Sequence, residues 1–150
     1  MKWNIKAFDE LTTEELYRII KERVNVFVVE QDCPYSECDG KDINAFHIWA
    51  EDDGRLVAYA RALLPGVSYR EASIGRVLVN EDYRKEGLGR ELMKRAIRFI
   101  EEELQQDSIR ISGQEYISDF YKNLGFEVVS DIYLEDGIPH LEMLYFKGSD

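Results

Sequence analysis

Val77-Leu78-Val79-Asn80-Glu81-Asp82-Tyr83-Arg84-Lys85-Glu86-Gly87-Leu88-Gly89-Arg90-Glu91-Leu92 carries an apolar strand into a long helix through a basic turn that contains two glycines. The first amides of a helix have no partner within it and sit at the positive end of its dipole. Gly87 and Gly89 leave room for a phosphate to approach those amides, with no Cβ in the way. Arg84, Lys85 and Arg90 can add charge-assisted hydrogen bonds to the same anion. Two familiar phosphate-binding turns are excluded. A P-loop needs Gly-Lys followed by Ser or Thr, and a dinucleotide fingerprint needs a third glycine where Leu92 stands.

Outward from this turn, Leu92, Met93, Ala96, Ile97, Ile100 and Leu104 form an amphipathic stripe that ends near Gln106. The long helix is flanked by strands at 72–79 and 108–112, which a right-handed crossover makes a parallel pair. Upstream, Trp3, Ile5 and Ala7 alternate with polar neighbours over a strand at 3–8. Thr12 followed by Glu15 is a capping box that opens a helix over 13–29, with Leu16, Ile19, Ile20, Arg23, Val24 and Phe27 at helical spacing. Its β-branched end can instead form a second short helix. Residues 31–45 read as an irregular loop. Asp52-Asp53-Gly54 joins strands 46–51 and 55–63 as a hairpin. A short helix at 116–124 and strands at 126–134 and 140–146 complete the chain. The order β-α-β-β-β-α-β-α-β-β, with no repeat and no linker, predicts one mixed α/β domain over 1–150. Its sheet is largely antiparallel, of about seven strands, with a central parallel pair.

The chain has 19 basic and 30 acidic residues, net −11, which argues against nucleic acid as a partner. Residues 83–98 hold six basic and two acidic residues, net +4, leaving 13 and 28 elsewhere, net −15. Such a basic island is either a solvated helix face or the seat of one anionic ligand. The lack of a long apolar run, and the alternating start Met1-Lys2-Trp3-Asn4-Ile5-Lys6, predict a cytoplasmic protein with neither membrane span nor secretory leader. Cys33 and Cys38, with a four-residue spacer and no histidine nearby, read as free thiols of a reducing compartment rather than zinc ligands. Neither lies in a pattern that suggests a covalent acyl-enzyme.

Arg-x-x-Gly-x-Gly, from Arg84 to Gly89, resembles the acyl-CoA signature of the GNAT superfamily of N-acetyltransferases. Asp119-Phe120-Tyr121-Lys122-Asn123-Leu124-Gly125-Phe126 looks like a second signature of that superfamily, and the element order matches its fold. Residues 26–35, Ile74-Gly75-Arg76-Val77 and Tyr133-Leu134-Glu135-Asp136-Gly137-Ile138-Pro139-His140 further resemble its ElaA-like branch, whose acceptor is poorly defined.

The resemblance implies helices on both faces of the sheet and acetyl-CoA as co-substrate, with no metal. It implies an amine acceptor, small molecule or peptide, attacked directly in a ternary complex; a homodimer is compatible with it. The backbone of Val77, Leu78 and Val79 is expected to pair with the pantetheine arm, and Lys85, Glu86, Gly87, Leu88, Gly89 and Arg90 to wrap the pyrophosphate. Gln114 matches a cofactor-contacting position. Tyr121 matches the usual general acid, whose phenol protonates the departing thiolate. A glutamate that serves as base in some members is replaced here by Ile109, which leaves Glu30, His47 and His140 as candidates. His140 follows a loop expected near the acceptor and is either that base or a hydrogen-bonded strand residue. His47, in an apolar strand, reads as structural. Arg76 reads as the partner of a buried carboxylate. Tyr35, Glu37, Asp39 and Asp42, with Glu135 and Asp136, make two acidic loops that either face a cationic acceptor or are solvated surface. A non-catalytic acyl-CoA-binding module on the same fold, and an interaction protein with a purely structural glycine turn, are the alternatives.

Overall fold

Strand β3 (Arg55–Leu63) is buried at every position from Leu56 onward, and Ala58, Ala60 and Ala62 line one of its faces with small side chains. Small residues let a helix lie close. Helix α2 (Leu88–Glu102) does so, seating Leu92, Met93, Ala96, Ile97 and Ile100 in the cluster that holds those alanines. Each large apolar side chain buried in this way contributes about 1.5–3 kcal/mol. On the opposite face, helix α1 (Thr13–Arg23) buries Ile19 with Trp49, Tyr59 and Leu78. Helices therefore cover both faces, as the resemblance implied. The capping box forms as read: Glu15 N–H donates to Thr12 Oγ1 at 3.1 Å, and Thr12 N–H to Glu15 Oε1 at 2.9 Å.

The structure is a computed structural model and describes residues 1–32 and 36–148. Cys33 and Tyr35 lie outside the described residues; Cys38 is exposed. No described helix is long and apolar enough to cross a membrane.

The remaining elements are β1 (Lys2–Ala7), β2 (Ala45–Asp52), β4 (Ala72–Val79), β5 (Ser108–Gln114), α3 (Ser118–Lys122), β6 (Glu127–Val128), β7 (Tyr133–Glu135) and β8 (Ile138–Phe146). They form one sheet in the order β1-β2-β3-β4-β5-β8-β6, with β7 paired to the N-terminal end of β8. Every pairing among the described residues is antiparallel except β4–β5, the expected parallel pair. Among the described residues the sheet has eight strands rather than about seven, because the apolar stretch 126–134 is broken into β6 and β7 around Ser130 and Asp131. Two more boundaries differ. The first helix gives way after Arg23 to a π-helical segment, Val24–Glu30, where the β-branched valines crowd an α-helix. Residues 116–124 divide into a 3₁₀ turn, Glu115–Ile117, and α3. The Asp53-Gly54 and Asp136-Gly137 pairs both take positive φ and close tight hairpins.

One irregularity shapes the rest. Tyr59 pairs with Leu78 and Arg61 with Gly75, so Ala60 faces two residues of β4, Arg76 and Val77. This is a β-bulge, with Arg76 at φ 52°.

Candidate active site

β4 and β5 part after Ser73, just ahead of the bulge. Their pairing covers Ala72 with Ile109 and Ser73 with Arg110, and no further. Leu78 and Val79 stay paired with β3 on one side, while the other edge of Val77–Val79 borders a cleft of about 620 Å³ between β4 and β5. Free N–H and C=O groups on a strand edge invite an extended, amide-bearing chain. The facing wall is Ser112, Gly113, Gln114 and Tyr121, and His140, Glu135 and Asp136 also line the cleft. Val77, Leu78, Val79, Gln114, Tyr121 and His140, widely separated in the chain, thus share one space.

Tyr121 is 8% exposed, with the edges of Phe120 and Phe126 against its ring. Its place depends on Gly113, since a Cβ there would lie 3.0 Å from Tyr121 Cε2. Burial pushes its phenol up to about 12, so it holds its proton throughout the neutral range. His140 is bound through Nδ1, which donates to the carbonyl of Ile138 at 2.7 Å. In the neutral ring this bond leaves Nε2 as the proton-accepting nitrogen; it lies 3.4 Å from Glu135 Oε2, and the ring lies against that of Tyr133. A neutral imidazole held in this tautomer can accept a proton, and Glu135 can stabilise the cation that results.

Arg84 also lines the cleft, but its groups are engaged: Nε donates to the carbonyl of Val79 at 2.9 Å, and Nη1 meets Glu30 Oε2 at 2.8 Å. Two expected functional residues, the phosphate ligand Arg84 and the base candidate Glu30, are partners of one another. Lys85, Glu86, Gly87, Leu88, Gly89 and Arg90 lie outside the cleft lining, in a largely exposed turn that continues directly from Arg84. Gly87 there has φ 80°, which a side chain rarely adopts, and its carbonyl accepts the first intrahelical bond, from Glu91. The amides of Leu88, Gly89 and Arg90 precede that bond and have no partner in α2. Gly89 matters less: a Cβ would make ordinary contact, 3.5 Å from Val79 Cγ2.

His47 is structural, as expected. It is fully buried, donates from Nε2 to the carbonyl of Asp42 at 3.0 Å and accepts from the Tyr59 hydroxyl at Nδ1 at 2.7 Å. Burial holds its imidazole below the ordinary histidine value. Ile109 is core.

The first acidic loop does not face an acceptor. Glu37 and Asp42 are buried, and with Asp39 they pair with three arginines. Arg23 Nε lies 2.6 Å from Glu37 Oε2, and Arg23 Nη1 2.6 Å from Asp42 Oδ1. Arg61 reaches Asp39 at 2.8 Å and Asp42 at 3.0 Å. Arg76 Nε reaches the same Glu37 oxygen at 2.7 Å, so it pairs with a buried carboxylate as read. Burial alone would raise the Asp39 carboxyl, but the Arg61 hydrogen bonds hold it well below the usual carboxylate range. Sequence reasoning missed this network, and the available signal was Arg23 itself, a charged residue on the apolar stripe of α1. It also missed the contact of Ser112 with the Tyr133 hydroxyl beside His140. Among the described residues no cluster of His, Cys, Asp and Glu could hold a metal ion.

Comparison with known proteins places these features in a family. Residues 8–145 match the acetyltransferase (GNAT) domain. The chain is 46% identical over 140 residues to a UPF0039 protein of Schizosaccharomyces pombe, covering 92% of each. The crystal structure of an acyl-CoA N-acyltransferase from Pseudomonas aeruginosa superposes with a TM-score of 0.91 at 39% identity, over 97% of this chain and 99% of that one. That of Escherichia coli ElaA gives 0.90 at 35% identity, over 96% and 98%.

Proposed function

The chain belongs to the GNAT acetyltransferase family, and from that premise we propose that it is a cytoplasmic, acetyl-CoA-dependent N-acetyltransferase acting on a cationic primary amine. The observation that carries the reading is the parted β4 edge at Val77–Val79, set across one cleft from Tyr121 and His140. The cleft's residues fit acetyl-CoA. An extended pantetheine arm carries amides that the β4 edge would pair, and the free first-turn amides of α2, with Lys85 and Arg90, would hold the pyrophosphate. When bound, acetyl-CoA supplies a thioester whose C–S bond breaks as a C–N bond to the amine forms.

This chain's residues do the rest. An unpaired N–H of the β4 edge polarises the acyl carbonyl. His140 Nε2 takes the proton that an ammonium must lose before its nitrogen can attack; Tyr121 gives its phenolic proton to the leaving sulfur and regains one from the nitrogen as the amide forms. Charges on the lining favour a cation. Arg76 and Arg84 are neutralised by Glu37 and Glu30, whereas Glu135 and Asp136 lie exposed beside His140. Because attack is direct, positioning the two substrates supplies most of the rate.

Calorimetric titration with acetyl-CoA, CoA and ATP tests the premise. Saturable binding of the first two and none of ATP is expected, followed by free-thiol release when primary amines are added. A folded sample that binds neither thioester nor CoA would end this reading.

A further inference from the structure

Six charged side chains, Arg23, Arg61, Arg76, Glu37, Asp39 and Asp42, have no part in the reaction just described, yet they converge on Arg76, the bulge residue on the cleft lining. Arg76 holds a left-handed φ of 52°, a conformation unfavourable for a residue with a side chain. Such backbone persists only where the surroundings over-determine it. Here they do. Arg76 Nε and Arg23 Nε share Glu37 Oε2, and Arg76 Nη2 lies 3.4 Å from Asp39 Oδ2. Arg23, fully buried, is fixed in turn by Asp42, which Arg61 also grips. The three carboxylates lie on the segment 37–42, and Arg23, Arg61 and Arg76 belong to α1, β3 and β4. The network therefore ties a loop, a helix and two strands to the bulge.

Stability is a poor explanation for it. Buried ion pairs cost desolvation and are often matched by apolar packing. Among the described residues this one also leaves Arg61 Nε buried without a hydrogen-bond partner. A role in geometry fits better, since the residue following the tethered Arg76 is the first of the Val77–Val79 edge. We infer that Glu37 and Arg76 are positioning residues: their pair, anchored through Arg23, sets the separation of β4 from β5 and so the orientation of the Val77–Val79 amides toward an acyl-CoA. This rests on the proposed function for its ligand, but not for its structural claim.

Two measurements separate the claims. The first is hydrogen exchange of the segment 74–79 in the protein without ligand, compared with that of α2. The second is the acetyl-CoA dissociation constant by calorimetry. Glu37→Gln removes one partner at a residue that does not line the cleft, and Arg76→Gly removes the other while suiting the left-handed backbone. Each variant is expected to exchange at least tenfold faster over 74–79 with α2 unchanged, and to bind acetyl-CoA at least tenfold more weakly. The double variant should be no worse than either single, because both break one linkage, and Arg76→Lys should recover part of the loss. If Glu37→Gln does not fold, Arg76→Gly and Arg76→Lys carry the exchange test alone. Unchanged exchange in a folded variant overturns the inference whatever the ligand does. A loss of affinity in Arg76→Gly that Glu37→Gln does not share overturns it too, making Arg76 a direct ligand contact. Faster exchange in both variants, with a wild-type protein that binds no acetyl-CoA, would uphold the tether and overturn its assignment to an acyl-CoA site.

Discussion

Tyr121 keeps its proton because aromatic rings and Gly113 surround it, its raised pKa owing most to burial. A phenol so protected always has its proton to give, although the raised pKa makes it a weaker acid, so the transfer must accompany the build-up of charge on the leaving sulfur. Tyr121→Phe keeps the ring and loses the proton, so kcat should fall by about 10²-fold or more with the acetyl-CoA dissociation constant nearly unchanged. Steady-state kinetics beside calorimetry would check it, and an unaltered kcat would remove Tyr121 as the acid. His47 shows the converse case of a buried group held neutral. Its imidazole stays unprotonated in the fold, whereas the unfolded chain takes up a proton as pH falls through about 6.5. The stability it contributes is complete above that pH and lost as pH falls below it. Urea unfolding at pH 7.5, 6 and 5 should show a decline well before the carboxylates titrate, and His47→Gln should flatten that decline while lowering stability throughout.

At the scale of elements, the turn between β4 and α2 has a double set of partners. Arg84 bridges Glu30 and the Val79 carbonyl, while Lys85 lies exposed just before Gly87. If the turn holds phosphate, Arg84→Ala with Lys85→Ala should weaken CoA binding more than binding of dephospho-pantetheine. Equal weakening of the two by calorimetry would place the phosphates elsewhere. Much of this element layer was legible in the residues. The Thr12–Glu15 box, the Asp53-Gly54 hairpin and the α2 stripe rest on interactions between near neighbours, and each forms where expected. Three things were not. The break in 126–134 is set by which residues β8 can pair, not by local hydropathy. The parting of β4 and β5 depends on Arg76 meeting Glu37, 39 residues away in sequence. The acidity of 37–42 could be counted, but the arginines that neutralise it come from α1, β3 and β4.

For the whole molecule, net charge and cleft charge point the same way. The chain carries −11, and Glu135 and Asp136 stand exposed by His140. Cationic acceptors should be steered in, so with CoA substrate saturating, kcat/KM for a dicationic amine should fall several-fold between about 20 and 200 mM salt. A zwitterionic amine should respond less, and equal responses would argue that the acidic turn has no part in recognition. The bulge at Arg76 has one more effect on the molecule, which concerns counting. Before it, the even-numbered Ala72 and Ile74 point into the α2 layer; after it, the odd-numbered Val77 and Val79 do, and Leu78 enters the α1 layer. The strand thus changes phase midway, and position 76 is the frame-shift. Replacing that residue leaves both layers filled. Straightening the strand with every residue kept would turn Leu78 toward α2 and the two valines toward α1, whereas deleting one residue here would restore plain alternation and keep both layers filled without the bulge. At this point the length of the chain, and not its spelling, decides that the strand must bulge.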